Sequence, residues 1–296
     1  MTNDPHPSIL ATPLARLAAA EHNANLAALA GTGPRGRVTQ RDVLSSLGLA
    51  PGESSTAIQR HAPPPERLPP LTEGSIRDRS SAEQAVARRM AETTATVPDF
   101  QVQTETAMDP MLGLRERLKD VANPPPSLND FIIKAAALAL RDFPLVNASY
   151  VDGSPELHPR INIGVAVTTE GMPMLPTVTD ADTRSLGSIA AETRRSAAAV
   201  RDSTIAPRDL DAPTFTISNL GDLGMTAITP MINAPQAASL GVGSLRTMLV
   251  QAADEVVERK LLTLTLSGDH RILPVTDAAQ FLSRLRELLE SPLLLA

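Results

Sequence analysis

"LLTLTLSGDHRILPVTDAAQFLSRLRELL" (residues 261–289) decides how this chain is read. After Leu261 its residues to Ser267 alternate Leu with Thr or Ser, the period-two pattern of a strand. From Asp277 the pattern changes: Ala278, Phe281, Leu282, Leu285 and Leu288 recur at helical spacing. The junction holds His270. A side chain at the exit of a buried strand can be both fixed and exposed, so His270 is either a working base or a structural histidine. Four residues on, where a partner carboxylate could stand, is Pro274.

Working outward, similar signals alternate through the C-terminal part. Ala82–Thr94 reads as a helix. Ser127 caps a second over "LNDFIIKAAALALRDF", and Leu186–Val200 forms a third. "INIGVAVT" (161–168), "TFTIS" (214–218) and "ASLGVG" (238–243) read as strands. The expected fold is an α/β or α+β sandwich with a mostly buried sheet.

Residues 49–75 are rich in Pro, Ser and charge without apolar period, which predicts a flexible linker between a module at 8–48 and a domain at 76–296. In the module, Thr12-Pro13 opens one short helix. Thr39 caps another, with Asp42 three residues on. Some forty residues form a marginal core, so a docking unit is expected rather than an enzyme.

Composition excludes several functions. Cysteine is absent, and so are disulfides, thiolate metal sites and a cysteine nucleophile. No His-x-x-x-His pair exists, so no metal is expected. Net charge is −6 and aromatics are 2%, against nucleic-acid binding by phosphate tracking or stacking. No apolar run spans a membrane and the start lacks a signal-peptide pattern, so a cytoplasmic chain is expected. His6, His22 and His61 fall in the N-terminal part or the linker, and His158 precedes Pro159 in a hairpin or loop. Ser218 stands where a strand breaks, but without a G-x-S-x-G elbow, so a serine hydrolase is not supported. "GTGPRG" is not followed by a dinucleotide-binding unit.

Taken together, "INIGVAVTTEGMPMLPTVTDADTRSLGSIA" (161–190), "PTFTISNLG" (213–221), "TPMINAPQAASLGVG" (229–243) and the opening stretch resemble the catalytic domain of dihydrolipoamide acyltransferases. These are core components of 2-oxoacid dehydrogenase complexes, with a chloramphenicol acetyltransferase-like fold: an α/β sandwich of mixed sheet and helices. "ATPLARLAAAE" and "GTGPRGRVTQRDVLSSL" resemble the peripheral-subunit-binding domain of the same proteins. The resemblance implies that His270 is the general base and that the Ser218 hydroxyl stabilises the tetrahedral oxyanion, the two meeting across a trimer interface. It implies acetyl-CoA as co-substrate, with Thr229, Pro230 and Asn233 at the coenzyme A site and Asp99 and Phe100 at the substrate channel. It further implies a homotrimer or larger cubic assembly joined through the apolar "LLESPLLLA" tail, with Arg16 and Arg37 contacting a partner dehydrogenase.

Departures from the pattern shape the expectation of function. Pro274 replaces the family's Asp or Asn, and Asp99 replaces a His. Ala20 and Asn25 replace a partner-contacting Arg and a loop Asp. No lipoylated Asp-Lys-Ala hairpin is present, so no lipoyl group is expected on this chain. The preferred reading is a stand-alone acyltransferase passing acetyl from CoA to a small-molecule hydroxyl in tetronate-like natural-product biosynthesis, its N-terminal module binding a dihydrolipoamide dehydrogenase weakly or serving a carrier protein. The alternatives are a complex component acting on dihydrolipoamide carried by another chain, and a non-catalytic core scaffold.

Overall fold

The computed structural model describes residues 10–22, 24–48, 80–169, 172–202, 204–210, 213–252 and 255–295. The linker expected at 49–75 lies outside them. Two compact units are present, divided after Pro70.

In the first unit, α1 (Pro13–Glu21) starts where Thr12 accepts a hydrogen bond from the Ala15 N–H at 3.2 Å. The second helix, α2 (Gln40–Ser46), is held at its start by Asp42. That carboxylate accepts from the Thr39 N–H (2.8 Å), the Thr32 N–H (3.0 Å) and the Thr32 hydroxyl (2.6 Å). These donors hold the Asp42 carboxyl well below its ordinary value of 3.8, the Thr32 hydroxyl contributing most. The core is small: Ala15, Ala18, Ala19, Val38 and Val43.

The second unit is a mixed sheet with helices. In chain order it runs α3 (Ser81–Thr96), β1 (Asp99–Ala107), α4 (Asp109–Leu118), α5 (Leu128–Asp142), β2 (Ala148–Val151), β3 (Ser154–Leu157), β4 (Ile163–Thr169), β5 (Met172–Met174) and β6 (Thr177–Val178). It continues with α6 (Leu186–Arg201), β7 (Phe215–Asn219), β8 (Ala238–Val242), β9 (Arg246–Ala252), β10 (Glu255–Asp269) and α7 (Val275–Glu290). The sheet order is β1-β10-β8-β7-β4-β5, with β6 on β4 and β9 on β10. The β4–β7 and β7–β8 pairs are parallel and the others antiparallel. β2 and β3 form a separate hairpin.

The helices follow the apolar pattern. α5 is buried from Asp130 to Leu140, which its run of Phe, Ile, Ala and Leu permits. Its buried acid, Asp130, accepts from the Ser127 N–H (2.6 Å) and hydroxyl (2.7 Å), completing the cap expected at Ser127. α7 buries Phe281, Leu282, Leu285, Leu288 and Leu289, each contributing about 1.5–3 kcal/mol.

The expected strands and helices form, with two differences. β10 is longer than expected because its polar first half, Glu255–Leu261, pairs with β9, and neither segment alternates cleanly. Periodicity does not predict β1, because its polar run is stabilised by nine register pairs with β10 rather than by an apolar face.

Candidate active site

From Leu262 to Asp269, β10 is buried on both faces, and His270 emerges exposed at its end. The backbone there is fixed on both sides: the His270 N–H donates to Pro98 O at 3.0 Å and the Asp269 N–H to Ala237 O at 2.8 Å. The His270 ring meets the Phe100 ring edge-on, with centroids 5.4 Å apart and planes at 67°. Phe100 can lie so close because residue 268 is glycine. A Cβ there would stand 2.7 Å from Phe100 Cζ.

Asp269, 1% exposed, does not serve the histidine. Its carboxylate accepts from the Arg271 N–H at 3.0 Å and from Arg271 Nη2 at 2.6 Å. The Arg271 guanidinium lies 4.0 Å over the Tyr150 ring, and its hydrogen bonds to Asp269 raise its pKa further above the ordinary value. Sequence reasoning misses this Asp269–Arg271–Tyr150 stack, although Asp and Arg flank the histidine directly. It pins the turn that ends with Leu273, fully buried. Pro274 then caps α7 at φ −62°, its carbonyl accepting from the Asp277 N–H at 3.1 Å. The ring constraint fits this position without strain.

Ser218 lies on β7, half-buried, one residue before the strand ends. Asn219 secures the exit: its Nδ2 donates to Asn129 at 2.6 Å and its Oδ1 accepts from the Gly221 N–H at 2.7 Å. Register places Ser218 beside Gly241 and Gly241 beside Thr265. His270 is five residues further along, about 17 Å, and two strand spacings, about 10 Å, to the side. Within one copy the two groups stand roughly 20 Å apart on this spacing, far beyond hydrogen-bond reach.

The structure brings some of the remaining expected residues together. Asp99 pairs with Asp269 in register, so Asp99, Phe100 and His270 share one end of the β1–β10 ladder. Thr229 is exposed and Pro230 buried, in a segment that crosses β8 where Gly241 leaves room for Ile228 and Pro230. Asn233 lines a cavity of about 880 Å³ with Arg89, His158, Arg160 and Gln236. His158 is engaged there with Ser149, at 2.8 Å. Arg16 and Arg37 are exposed on the first unit, and the Thr12 N–H donates to Val38 O at 2.9 Å, setting the Arg37 segment beside the start of α1. Among the described residues no cluster of three metal-ligating side chains occurs, and no helix is long and apolar enough to cross a membrane.

Comparison with known proteins sets these residues in a family. Residues 75–296 match the 2-oxoacid dehydrogenases acyltransferase (catalytic domain) family, and residues 9–44 match the e3 binding domain. The chain belongs to the 2-oxoacid dehydrogenase acyltransferase family, and its mixed sheet with helices is the fold of solved dihydrolipoamide acetyltransferases, as expected. One relative is component 2 of the dihydrolipoyllysine-residue acetyltransferase of the mitochondrial pyruvate dehydrogenase complex from Arabidopsis thaliana. It is 34% identical over 96% of this chain, and the chain spans about half (53%) of its length. The cubic core of the pyruvate dehydrogenase multienzyme complex superposes with a TM-score of 0.71 at 28% identity, covering 79% of this chain and 99% of that one. Dihydrolipoamide acetyltransferase from Azotobacter vinelandii gives 0.72 at 27% identity, covering 79% and 99%. In that protein the roles of a serine, a histidine and an asparagine in the catalytic mechanism have been investigated. Its serine precedes the histidine by 52 positions and its asparagine follows by four. Ser218 and His270 are also 52 positions apart, and Pro274 follows His270 by four.

These likenesses correct one expectation. A stand-alone enzyme acylating a small-molecule hydroxyl in natural-product biosynthesis is not what the chain resembles; its relatives are acetyltransferase components of pyruvate dehydrogenase complexes. The expectation leans on a lipoyl hairpin not found in the sequence. A lipoyl domain folds independently, so it leaves no mark on the residues of the catalytic sheet.

Proposed function

We propose that the chain is the acyltransferase core component of a 2-oxoacid dehydrogenase complex. It exchanges an acetyl group between coenzyme A and the thiol of a dihydrolipoyl group. The observation carrying this reading is the junction of β10 and α7, where His270 is exposed at the end of a rigid strand, buttressed by Phe100 and free of the neighbouring carboxylate. The His270 imidazole accepts the proton of the attacking thiol. The thiolate adds to the thioester carbonyl, and the oxyanion takes a hydrogen bond from the Ser218 hydroxyl. Collapse expels the second thiolate, which recovers the proton from the imidazolium, so no acyl-enzyme forms.

The roughly 20 Å between His270 and Ser218 in one copy supports a site shared between adjacent copies. A ring of copies with head-to-tail contacts meets this requirement, and the trimers of a cubic core are of this kind. The N-terminal unit supports docking of a dihydrolipoamide dehydrogenase through Arg16 and Arg37. Coenzyme A is the co-substrate, with Asn233 on the wall of the cavity beside His158.

The test is release of free coenzyme A thiol from acetyl-CoA with dihydrolipoamide as acceptor. Turnover is expected, and His270→Ala removes it by removing the base. A His270→Ala protein retaining near-full rate refutes the mechanism, and failure to accept dihydrolipoamide refutes the assignment to the complex.

A further inference from the structure

A second cavity, of about 260 Å³, lies between α5, α6 and the sheet. Its sheet wall carries Val165 and Val167 of β4. The residue between them, Ala166, pairs with Ser218 in the parallel register. Side chains alternate faces along a strand, so the cavity is on the opposite side of the sheet from the Ser218 hydroxyl. It therefore stands apart from the oxyanion position, and ligand binding in it is independent of the proposed function.

The inner lining is largely apolar, with Ile133 and Val178 nearly fully buried and the buried polar Asp130 and Thr177 beside them. The helix wall is made of small residues, Ala190 and Ala197, which create the space. Two features point to a polar ligand. Ser196 is 4% exposed and lines the cavity, with no hydrogen-bond partner among the described residues. Arg194 and Arg201 also line it. They are two helical turns apart on one face of α6, about 10 Å along the axis. Both are exposed and neither forms an ion pair among the described residues, the one polar contact being Arg194 to Pro125 O at 3.4 Å. The acid of the lining, Asp130, is already engaged by the Ser127 N–H and hydroxyl and by the Thr193 hydroxyl. On a chain of net charge −6, two cations bracketing an apolar slot select a ligand of opposite charge.

We infer that this cavity binds a slim aliphatic chain ending in an anion. The chain packs against Val165, Val167 and Ile133, Ser196 donates to or accepts from it, and Arg194 and Arg201 hold the charged end. The same chemistry is offered by a free aliphatic carboxylate and by the phosphopantetheine arm of a thioester donor.

The experiment is calorimetric titration of the full chain, at fixed ionic strength, with hexanoate, hexan-1-ol and 4′-phosphopantetheine. Saturable hexanoate binding is expected, at least tenfold tighter than hexan-1-ol. The double variant R194Q/R201Q, altered only at exposed positions, is expected to lose tenfold or more. Ala197→Phe fills the slot and abolishes binding; if it does not fold, the arginine variant decides. Phosphopantetheine competing with hexanoate identifies the anion as the donor's phosphate, and absence of competition leaves the free carboxylate. No saturable binding of either anion, or hexanoate binding unchanged in R194Q/R201Q, overturns the inference.

Discussion

Gly268→Ala tests how the end of β10 holds its histidine. The added methyl would stand 2.7 Å from Phe100 Cζ, 3.0 Å from Cε1 and 3.1 Å from Leu273 Cδ2. Carbon atoms in good contact lie about 3.5–4.0 Å apart, so the Phe100 ring must retreat by roughly an ångström. Overfilling of this kind costs about 1–3 kcal/mol. The ring also meets His270, at 5.4 Å between centroids. A base displaced by about 1 Å loses on the order of a hundredfold in rate. Acetyl transfer and thermal melting, measured on the same preparation, should therefore both fall, the rate by much the larger factor. Phe100→Ala in the same chain removes the clash. The double variant should then cost less stability than the two single changes added together. A Gly268→Ala protein with an unchanged rate would show that Phe100 does not position His270.

Three further outcomes rest on named contacts. Asp269→Asn keeps the side chain's shape but leaves Arg271 without its counter-charge; because Arg271 is 29% exposed, the loss is expected at about 2–3 kcal/mol, below that of a fully buried pair, read as lowered melting temperature. In Asp42 the carboxyl pKa is lowered on folding, so its contribution is present above the unfolded value of 3.8 and lost as pH falls through the lower folded value. The N-terminal unit should thus loosen below about pH 4, and Asp42→Asn should flatten that dependence in amide spectra of α2. Pro274→Asn restores the polar residue found four places after the histidine in the Azotobacter vinelandii protein. The proline already sets the helix start without strain, so the rate should change by less than about tenfold, below the worth of an oxyanion donor.

Most of the fold was legible because its pattern is local. The Leu/Thr alternation of 262–267, the cap at Ser127 and the apolar face of 278–288 each report one element's surroundings. β1 was not legible, since its Gln, Thr and Glu are held by pairing with a strand more than 150 residues away. The site divides the same way. His270 stood out as a lone histidine where two periods meet, whereas its Phe100 support depends on Gly268, whose reason appears only when the ring lies against it. Ser218 could be singled out at a strand break. Its distance from His270 depends on register through β8, which no single segment encodes.

The central claim is that each reaction centre takes His270 from one copy and Ser218 from its neighbour. Co-expressing His270→Ala and Ser218→Ala chains in equal amounts tests it directly. Each parent oligomer lacks one group at every site. In random mixtures of a head-to-tail ring, about a quarter of the interfaces join an intact His270 to an intact Ser218, so acetyl transfer should recover to roughly that fraction of the unaltered protein. Mixed oligomers no more active than the mean of their parents would contradict it, because a site complete within one copy cannot be rebuilt from two defective ones.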